Sequence, residues 1–336
     1  MKHFIDTIKS TYGKYKVIVW IICSLLLLIF PALIPSNYVM GVVCRILFYA
    51  TLAGSLNVIN GYSGQMCIGH AGFFCIGAYI EAILATQYHF NFWMLLLVGG
   101  IITAIIGGLI ALPTLRMQGI YLSIITLGFS EVVRLIALNW TSVTGGAMGV
   151  KGIKSPTLLG LTLSSPKQYY YIFLAIGIVF IFVTNRIINS RTGSAWISIR
   201  EDELAARSLG IEIKKYKILN FMYGAFWAGV MGAAYAPYTR YIDSTYFSLD
   251  EGFNILSMVI IGGQGTLIGP ILGAAVVNSL TELLRSFSEW RMVAYAVLII
   301  AMMWLRPQGL VGASDSVLAG DKMKKKKIKV LAKEEK

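Results

Sequence analysis

The sequence predicts an all-α polytopic membrane protein of about ten transmembrane or re-entrant helices, some of them interrupted by glycine. Three observations carry that class. Of the 336 residues, 57% are hydrophobic and only 13% charged, whereas a soluble domain is near half apolar and a quarter charged. The apolar residues fall into runs approaching the roughly 20 residues that a helix needs to cross a bilayer. Lys and Arg collect between the runs, as in loops held on the cytoplasmic side of a membrane.

In order, the runs fall near 17–35, 38–59, 66–87, 92–113, 117–138, 169–186, 218–238, 253–271, 272–288 and 292–306. The first follows a basic lead, MKHFIDTIKSTYGKYK, and no small-x-small cleavage site comes after it. It reads as an uncleaved span, with 1–16 a cytoplasmic segment. The eighth and ninth are interrupted by Gly262, Gly263, Gly265, Gly269, Pro270 and Gly273 and are the least regular. The transmembrane body is 17–306, and 307–336 is a basic tail expected on the cytoplasmic side.

Orientation follows from charge. Lys2, Lys9, Lys14 and Lys16 precede the first run, Arg186, Arg191, Arg200, Arg207, Lys214, Lys215 and Lys217 fill 186–217, and lysines crowd the tail. With those three stretches inside, both termini are cytoplasmic and the number of spans is even, which ten runs satisfy. Segments 139–168 and 239–252 then lie outside, although Lys151, Lys154 and Lys167 run mildly against the rule.

Several function classes drop out. The net charge of +13 comes from run ends and polar stretches, so it does not imply nucleic acid. The run Lys322, Lys324, Lys325, Lys326, Lys327 and Lys329 reads as a solvated tail touching anionic membrane lipid. Cys23, Cys44, Cys67 and Cys75 lie in apolar runs and make no CxxC, so neither a disulfide nor a zinc framework is expected. His3, His70 and His89 are too few for a multi-histidine metal site. There is no GxxxxGK[ST], HExxH or GxSxG, and no nucleophile, base and orienting group stand at recognisable spacing. No catalytic residue and no metal are expected.

The stretch Gly61–Tyr79, GYSGQMCIGHAGFFCIGAY, places five glycines among polar side chains inside an apolar region. Tight helix packing is one reading, which Gly69, Gly72 and Gly77 satisfy alone. The other is a break near Gly61–Gln65 whose backbone and side chains line a solute path. Asn57, Ser63, Gln65 and His70 favour the break, because unpaired polar groups are costly in lipid. Asn60–Gly61 is a turn dipeptide between two of them. His70 fits a hydrogen bond between helices better than a proton relay. A second stretch, GGQGTLIGPILGAA (Gly262–Ala275), repeats the Gly-Gln then Ile-Gly order. Paired interrupted segments in two halves of a chain point to a transporter site. Glu131 and Arg134 stand three apart in an apolar run and share a helix face; a functional pair and a structural pair near the outer interface both fit. Glu81 is alone in its run and is expected near the outer surface.

Between Arg191 and Lys217 lies RTGSAWISIREDELAARSLGIEIKKYK. Arg200–Leu209 is predicted as one short helix, with Glu203 four before Arg207 and Gly210 at the C-cap. A solvated connector and a docking helix for a cytoplasmic partner are both open.

Six stretches in order, GYSGQMCIGHAGFFCIGAY, RMQGIYLSIITLGFSEVVRLIALNW, TGGAMGVKGI, SAWISIREDELAARSLGI, GGQGTLIGPILGA and RPQGLVG, resemble the M-type membrane subunit of branched-chain amino acid ABC importers, over about Gly61 to Gly312. The resemblance implies the ABC importer permease type of fold in a bacterial inner membrane. It implies pairing with an H-type permease subunit, two cytoplasmic ATP-binding subunits that hold ATP and Mg, and an external substrate-binding protein. Leucine, isoleucine or valine is the implied cargo, and this chain is implied to bind no cofactor. Segment 186–217 becomes the coupling segment, with Arg200, Glu201, Asp202, Glu203, Ala205, Ala206, Arg207 and Gly210 meeting the ATPase. It also looks like the EAAxxxG loop of other ABC permeases: Ala205, Ala206 and Gly210 match, but Leu204 stands where the glutamate belongs, with Glu203 one residue earlier. The path candidates are Asn57, Ser63, Gly64, Gln65, His70, Phe73, Phe74, Gly263, Gln264 and Gly265. Related permeases carry urea or short amides, and the uncharged path candidates suit either cargo. A self-sufficient secondary transporter or channel is the other rival, supported by His70 and the Glu131–Arg134 pair alone.

Overall fold

The computed structural model describes residues 30–31, 36–115, 117, 119–158, 161–284, 297, 300, 304 and 308–311. The expected first and tenth spans, segment 1–16 and the lysine tail lie wholly or largely outside the described residues.

Among the described residues there are eleven α-helices. They are α1 (Asn37–Asn57), α2 (His70–Gln87), α3 (Phe92–Thr114), α4 (Ile120–Asn139), the one-turn α5 (Thr141–Thr144), α6 (Pro166–Ile188), α7 (Arg191–Glu201), α8 (Glu203–Ser208), α9 (Ile213–Thr239), α10 (Leu249–Gly262) and α11 (Gly269–Leu283). Among the described residues, strands are confined to two short antiparallel pairs: β1 (Val150–Lys151) with β4 (Tyr241–Ile242), and β2 (Thr157–Leu158) with β3 (Leu161–Thr162). Asn37–Tyr62, α3, α4 and α6 are long and apolar enough to cross a membrane. The chain is an all-α, multi-pass membrane protein.

Local chemistry starts these helices where the chain turns. Asn91 Oδ1 accepts the Trp93 amide at 3.1 Å and opens α3. Gln168 Oε1 accepts the amides of Ser164 and Ser165 at 2.8 and 3.0 Å, and Pro166 supplies the first helical residue of α6. Both devices occupy helix-start donors that would otherwise lack partners.

The 27-residue α9 is the central post, packed against α1, α2 and α3. Backbone meets backbone at the α2 crossing: a Cβ on Gly77 would sit 2.1 Å from the Gly229 carbonyl oxygen. Close approach of this kind replaces hydrophobic drive in lipid with packing. Away from α9, α3 turns Leu97, Ile101, Ile105 and Leu109 outward.

The interrupted pair resolves into two half-helices. With 14 and 15 residues, α10 and α11 are about 21 and 22 Å long, short of a hydrocarbon core of about 30 Å. Residues 263–268 join them without helix. The last carbonyls of α10 are satisfied from a distant stretch: Leu310 N–H donates to Ile261 O at 2.9 Å and Val311 N–H to Gly262 O at 3.0 Å.

The two ends of the bundle differ. The β1–β4 pair joins 139–168 to the residues after α9 at one end. At the other end of α6 and α9 lie α7 and α8, beside the interruptions after α1 and α10. Glu81, expected near a surface, is buried within α2, and its Oε2 has no hydrogen-bond partner among the described residues.

Candidate functional site

The first interruption begins with a change of pitch. After Asn57 the chain continues as a π-helical turn over Val58–Tyr62, then leaves helix over 64–69 until α2 starts at His70. Widened turns of this kind recur at functional sites. Asn60 replaces the missing backbone partners: its Oδ1 accepts the Cys67 amide at 3.0 Å and its Nδ2 donates to Cys67 O at 3.1 Å.

The two interruptions meet. Asn57, only 1% exposed, accepts the Gly265 amide on Oδ1 at 2.9 Å and donates from Nδ2 to Thr266 O at 2.8 Å. One side chain thus binds a donor and an acceptor of the 263–268 loop, 208 and 209 residues away. Contact is close: a Cβ on Gly61 would lie 2.3 Å from the Gly265 nitrogen. Both loops need glycine at this seam.

A second knot ties the first interruption to α9. Ser63 Oγ donates to Asn220 Oδ1 at 2.9 Å, and Gln65 Nε2 donates to Ser63 Oγ at 2.7 Å. Asn220 Nδ2 in turn donates to Val58 O at 3.0 Å. All three side chains are buried, so the network has the satisfied form that specifies one packing.

The segment after α6 is two helices, where one was predicted. Asp202 adopts an extended backbone and its Oδ1 accepts the amides of Leu204 and Ala205 at 2.8 and 3.0 Å. Its side chain thereby ends α7 and caps α8. The expected glycine stop is present: Gly210 has φ +81°, its amide donates to Arg207 O at 3.0 Å, and the Ile211 amide donates to Ala206 O at 3.1 Å. That is the two-bond arrangement in which a left-handed residue closes a helix. Glu203 pairs with Lys217 of α9 at 2.6 Å, which anchors α8 to the central post.

Arg200 connects this segment to the seam. Its Nη1 donates to Gly61 O at 2.8 Å, while Nη2 pairs with Glu201 at 2.6 Å. A cleft of about 250 Å³ opens beside it, lined by Ser63, Gln65, Gly119, Arg200, Glu203 and Lys217 among others.

Of the path candidates, Asn57, Ser63, Gly64, Gln65, Gly263 and Gly265 gather at this end, and Gln264 in the same loop is exposed. His70, Phe73 and Phe74 do not join them. His70 Nε2 lies 2.7 Å from Ser55 Oγ between α1 and α2. Phe73 packs on Phe129 of α4, and Phe74 packs on Phe48, Tyr235 and Phe247. Of the coupling candidates, Arg200 touches the seam, Glu203 reaches α9 and Ala206 is buried, while Arg207 and Gly210 are exposed. Sequence reasoning missed Asn220, Thr266 and Lys217. Asn220 carries the same signal as Asn57, a lone amide in an apolar run; the other two owe their roles to tertiary partners.

Comparison with known proteins decides the family. The chain matches the family of branched-chain amino acid transport system permease components over residues 38–304. It belongs to that family. Among members of this permease family, the high-affinity branched-chain amino acid transport system permease protein LivM of Escherichia coli is 33% identical over 333 residues, covering 92% of this chain and 78% of the relative. LivM of Salmonella typhimurium is 35% identical over 288 residues, covering 79% and 68%. The permease LivH of Escherichia coli is 23% identical over 289 residues, covering 79% and 91%. No solved structure matches. The permease-family match spans both interruptions and the α7–α8 segment.

Proposed function

We propose that this chain is one membrane-spanning subunit of an ATP-driven importer of branched-chain amino acids in a bacterial inner membrane. An H-type permease is its membrane partner, two cytoplasmic ATPase subunits hold ATP and Mg, and an external binding protein delivers the cargo. The names of the LivM and LivH relatives support the cargo and the H-type partner. Both termini and the α7–α8 segment face the cytoplasm, in keeping with the basic residues of 186–217.

The observation that carries the mechanism is the Arg200–Gly61 hydrogen bond. It links the coupling segment directly to the seam between the two interruptions. On this reading the seam is an inner gate held shut by the Asn57 bonds to Gly265 and Thr266, and the ATPase subunits act on it through Arg200–Gly210. Leu204 and Leu209, 73% and 79% exposed on α8 and its cap, offer apolar side chains to the ATPase surface. Nucleotide binding biases the gate only if the partners grip α8 differently in different nucleotide states. Alternating access follows as the half-helices and α1 separate.

The test is mild-detergent purification of the tagged chain, then reconstitution with the proteins that accompany it. Recovery of an H-type permease and ATPase subunits, with ATP-dependent uptake of labelled leucine, is the expected result. Uptake of labelled urea instead, or leucine uptake by this chain alone, would overturn the proposal.

A further inference from the structure

On the flank of α4, Glu131 and Arg134 form an ion pair that the inner gate does not use. Arg134 Nε lies 3.0 and 2.9 Å from the two carboxylate oxygens, and Nη2 closes on Oε1 as well. The side chains stay 29% and 23% exposed. Glu131 lies about 16 Å along a helix about 30 Å long, so the pair is at membrane depth. The guanidinium reaches back along α4 to Glu131, in the direction that helical side chains lean. It does not stretch towards the helix end, the escape open to long cations near an interface. A partly exposed ion pair at that depth is costly against lipid and marks a protein or aqueous face.

Gly128 adds a separate observation. It precedes Glu131 by one turn on the same flank, it is exposed, and a Cβ built on it meets nothing within 4 Å. Glycine weakens a helix interior relative to alanine. Gly77 and Gly107 explain themselves, since a Cβ on either would strike α9 at 2.1 and 2.5 Å. Among the described residues, nothing needs the space over Gly128. Around the notch and the charges stand the exposed apolar side chains Ile124, Val132 and Leu135.

We infer that Gly128, Glu131 and Arg134 form a membrane-interior subsite for the zwitterionic end of an α-amino acid cargo, an inference that rests on the amino-acid reading above. Arg134 receives the α-carboxylate, whose geometry its planar fork matches. Glu131 receives the α-ammonium, and the notch at Gly128 gives the cargo backbone room. Ile124, Val132 and Leu135 face its apolar side chain. The exchange is neutral at both ends: the closed pair sums to zero, and the opened pair holding a zwitterion also sums to zero. No net charge therefore enters the membrane interior, which limits the desolvation penalty that isolated ions face. An uncharged amide could hydrogen-bond to the same two groups but would bring no opposite charge to either, and so would be held more weakly.

The test uses the complete importer in liposomes and reads labelled leucine imported per ATP hydrolysed, in complexes that retain all subunits. Neutralising both members of an ion pair together is often structurally tolerated, so a purely structural pair would let the double variant E131Q/R134Q import normally. The subsite predicts a fall of at least about 30-fold, the loss expected when charge-assisted hydrogen bonds vanish. Gly128→Val fills the notch without touching charge or any contact among the described residues, and should lower the ratio at least about tenfold, on the scale of an overpacked contact. It decides the matter if the double variant fails to assemble. Leucine import within twofold of wild type in either assembled variant would overturn the subsite alone. A wild-type complex that imports urea and not leucine would overturn the amino-acid reading and the subsite with it.

Discussion

Replacing Asn57 by alanine tests whether the seam is a gate. The substitution deletes the bonds at 2.9 Å to the Gly265 amide and at 2.8 Å to the Thr266 carbonyl. A typical hydrogen bond contributes a net 0.5–1.5 kcal/mol, and a buried group left unpaired costs about 1–3 kcal/mol. The comparison that matters is between the closed gate and an open one in which water reaches the same groups. On that basis the closed state loses about 2–4 kcal/mol relative to the open state, which moves their ratio roughly 30- to 1000-fold. A gate shifted that far no longer waits for its cargo. In the reconstituted importer, ATP hydrolysis without loaded binding protein should rise at least about tenfold, while leucine imported per ATP falls in proportion. Asn57→Ala and Arg200→Ala should not add, because both act on one contact through Gly61 and Gly265. An assembled Asn57→Ala importer with hydrolysis and uptake both within twofold of wild type would refute the gate.

Three further outcomes follow from the same geometry. Gly210→Val forces a β-branched residue to φ +81° at a cost of about 1–2 kcal/mol, so it should uncouple hydrolysis from uptake, whereas Gly210→Asn should retain most coupling; paired uptake and phosphate-release assays check this. Lys217 is 8% exposed and Glu203 23%, so Glu203→Gln should destabilise more, by about 3 kcal/mol, than Lys217→Met, and the double replacement should lie near wild type; the melting temperature of the purified complex reads the order. Gly77→Val drives its side chain into the Gly229 carbonyl at 2.1 Å and should cost about 3 kcal/mol or more, visible as loss of a monodisperse peak in size-exclusion chromatography.

The membrane class was legible because a bilayer writes itself directly into composition and run length. The interruptions were legible for a related reason: glycine, proline and Asn-Gly at membrane depth have few other uses. Their partnership was only hinted at by the echoed Gly-Gln order. The contact that realises it joins Asn57 to Gly265 and Thr266 across 208 and 209 residues, and no local pattern encodes such a pairing. The α7–α8 segment shows how a local rule loses to a stronger one. Helix formers from Arg200 to Leu209 favour one helix, but the Asp202 carboxylate takes two amides and the chain breaks there. Glu203 illustrates the same limit: spacing pointed to Arg207, and the fold brings Lys217 to it.

These two lessons meet at Arg200. Its charge marked it as part of a cytoplasmic stretch, and its position in a short helix made a partner contact plausible. Neither property foretold a hydrogen bond to Gly61 O. The bond exists because two departures from regular helix coincide. The π-turn over Val58–Tyr62 and the exit from helix after it free carbonyls that an unbroken α1 would have consumed. Gly61, without a side chain, lets Gly265 reach that backbone, and Gly64 and Gly265 leave the room that Arg200 occupies. A regular α1 with alanine at 61 would present neither a free acceptor nor the space. In the proposed mechanism, the irregularity that made GYSGQ conspicuous in an apolar chain is therefore the feature through which a force applied at α8 would reach the half-helices.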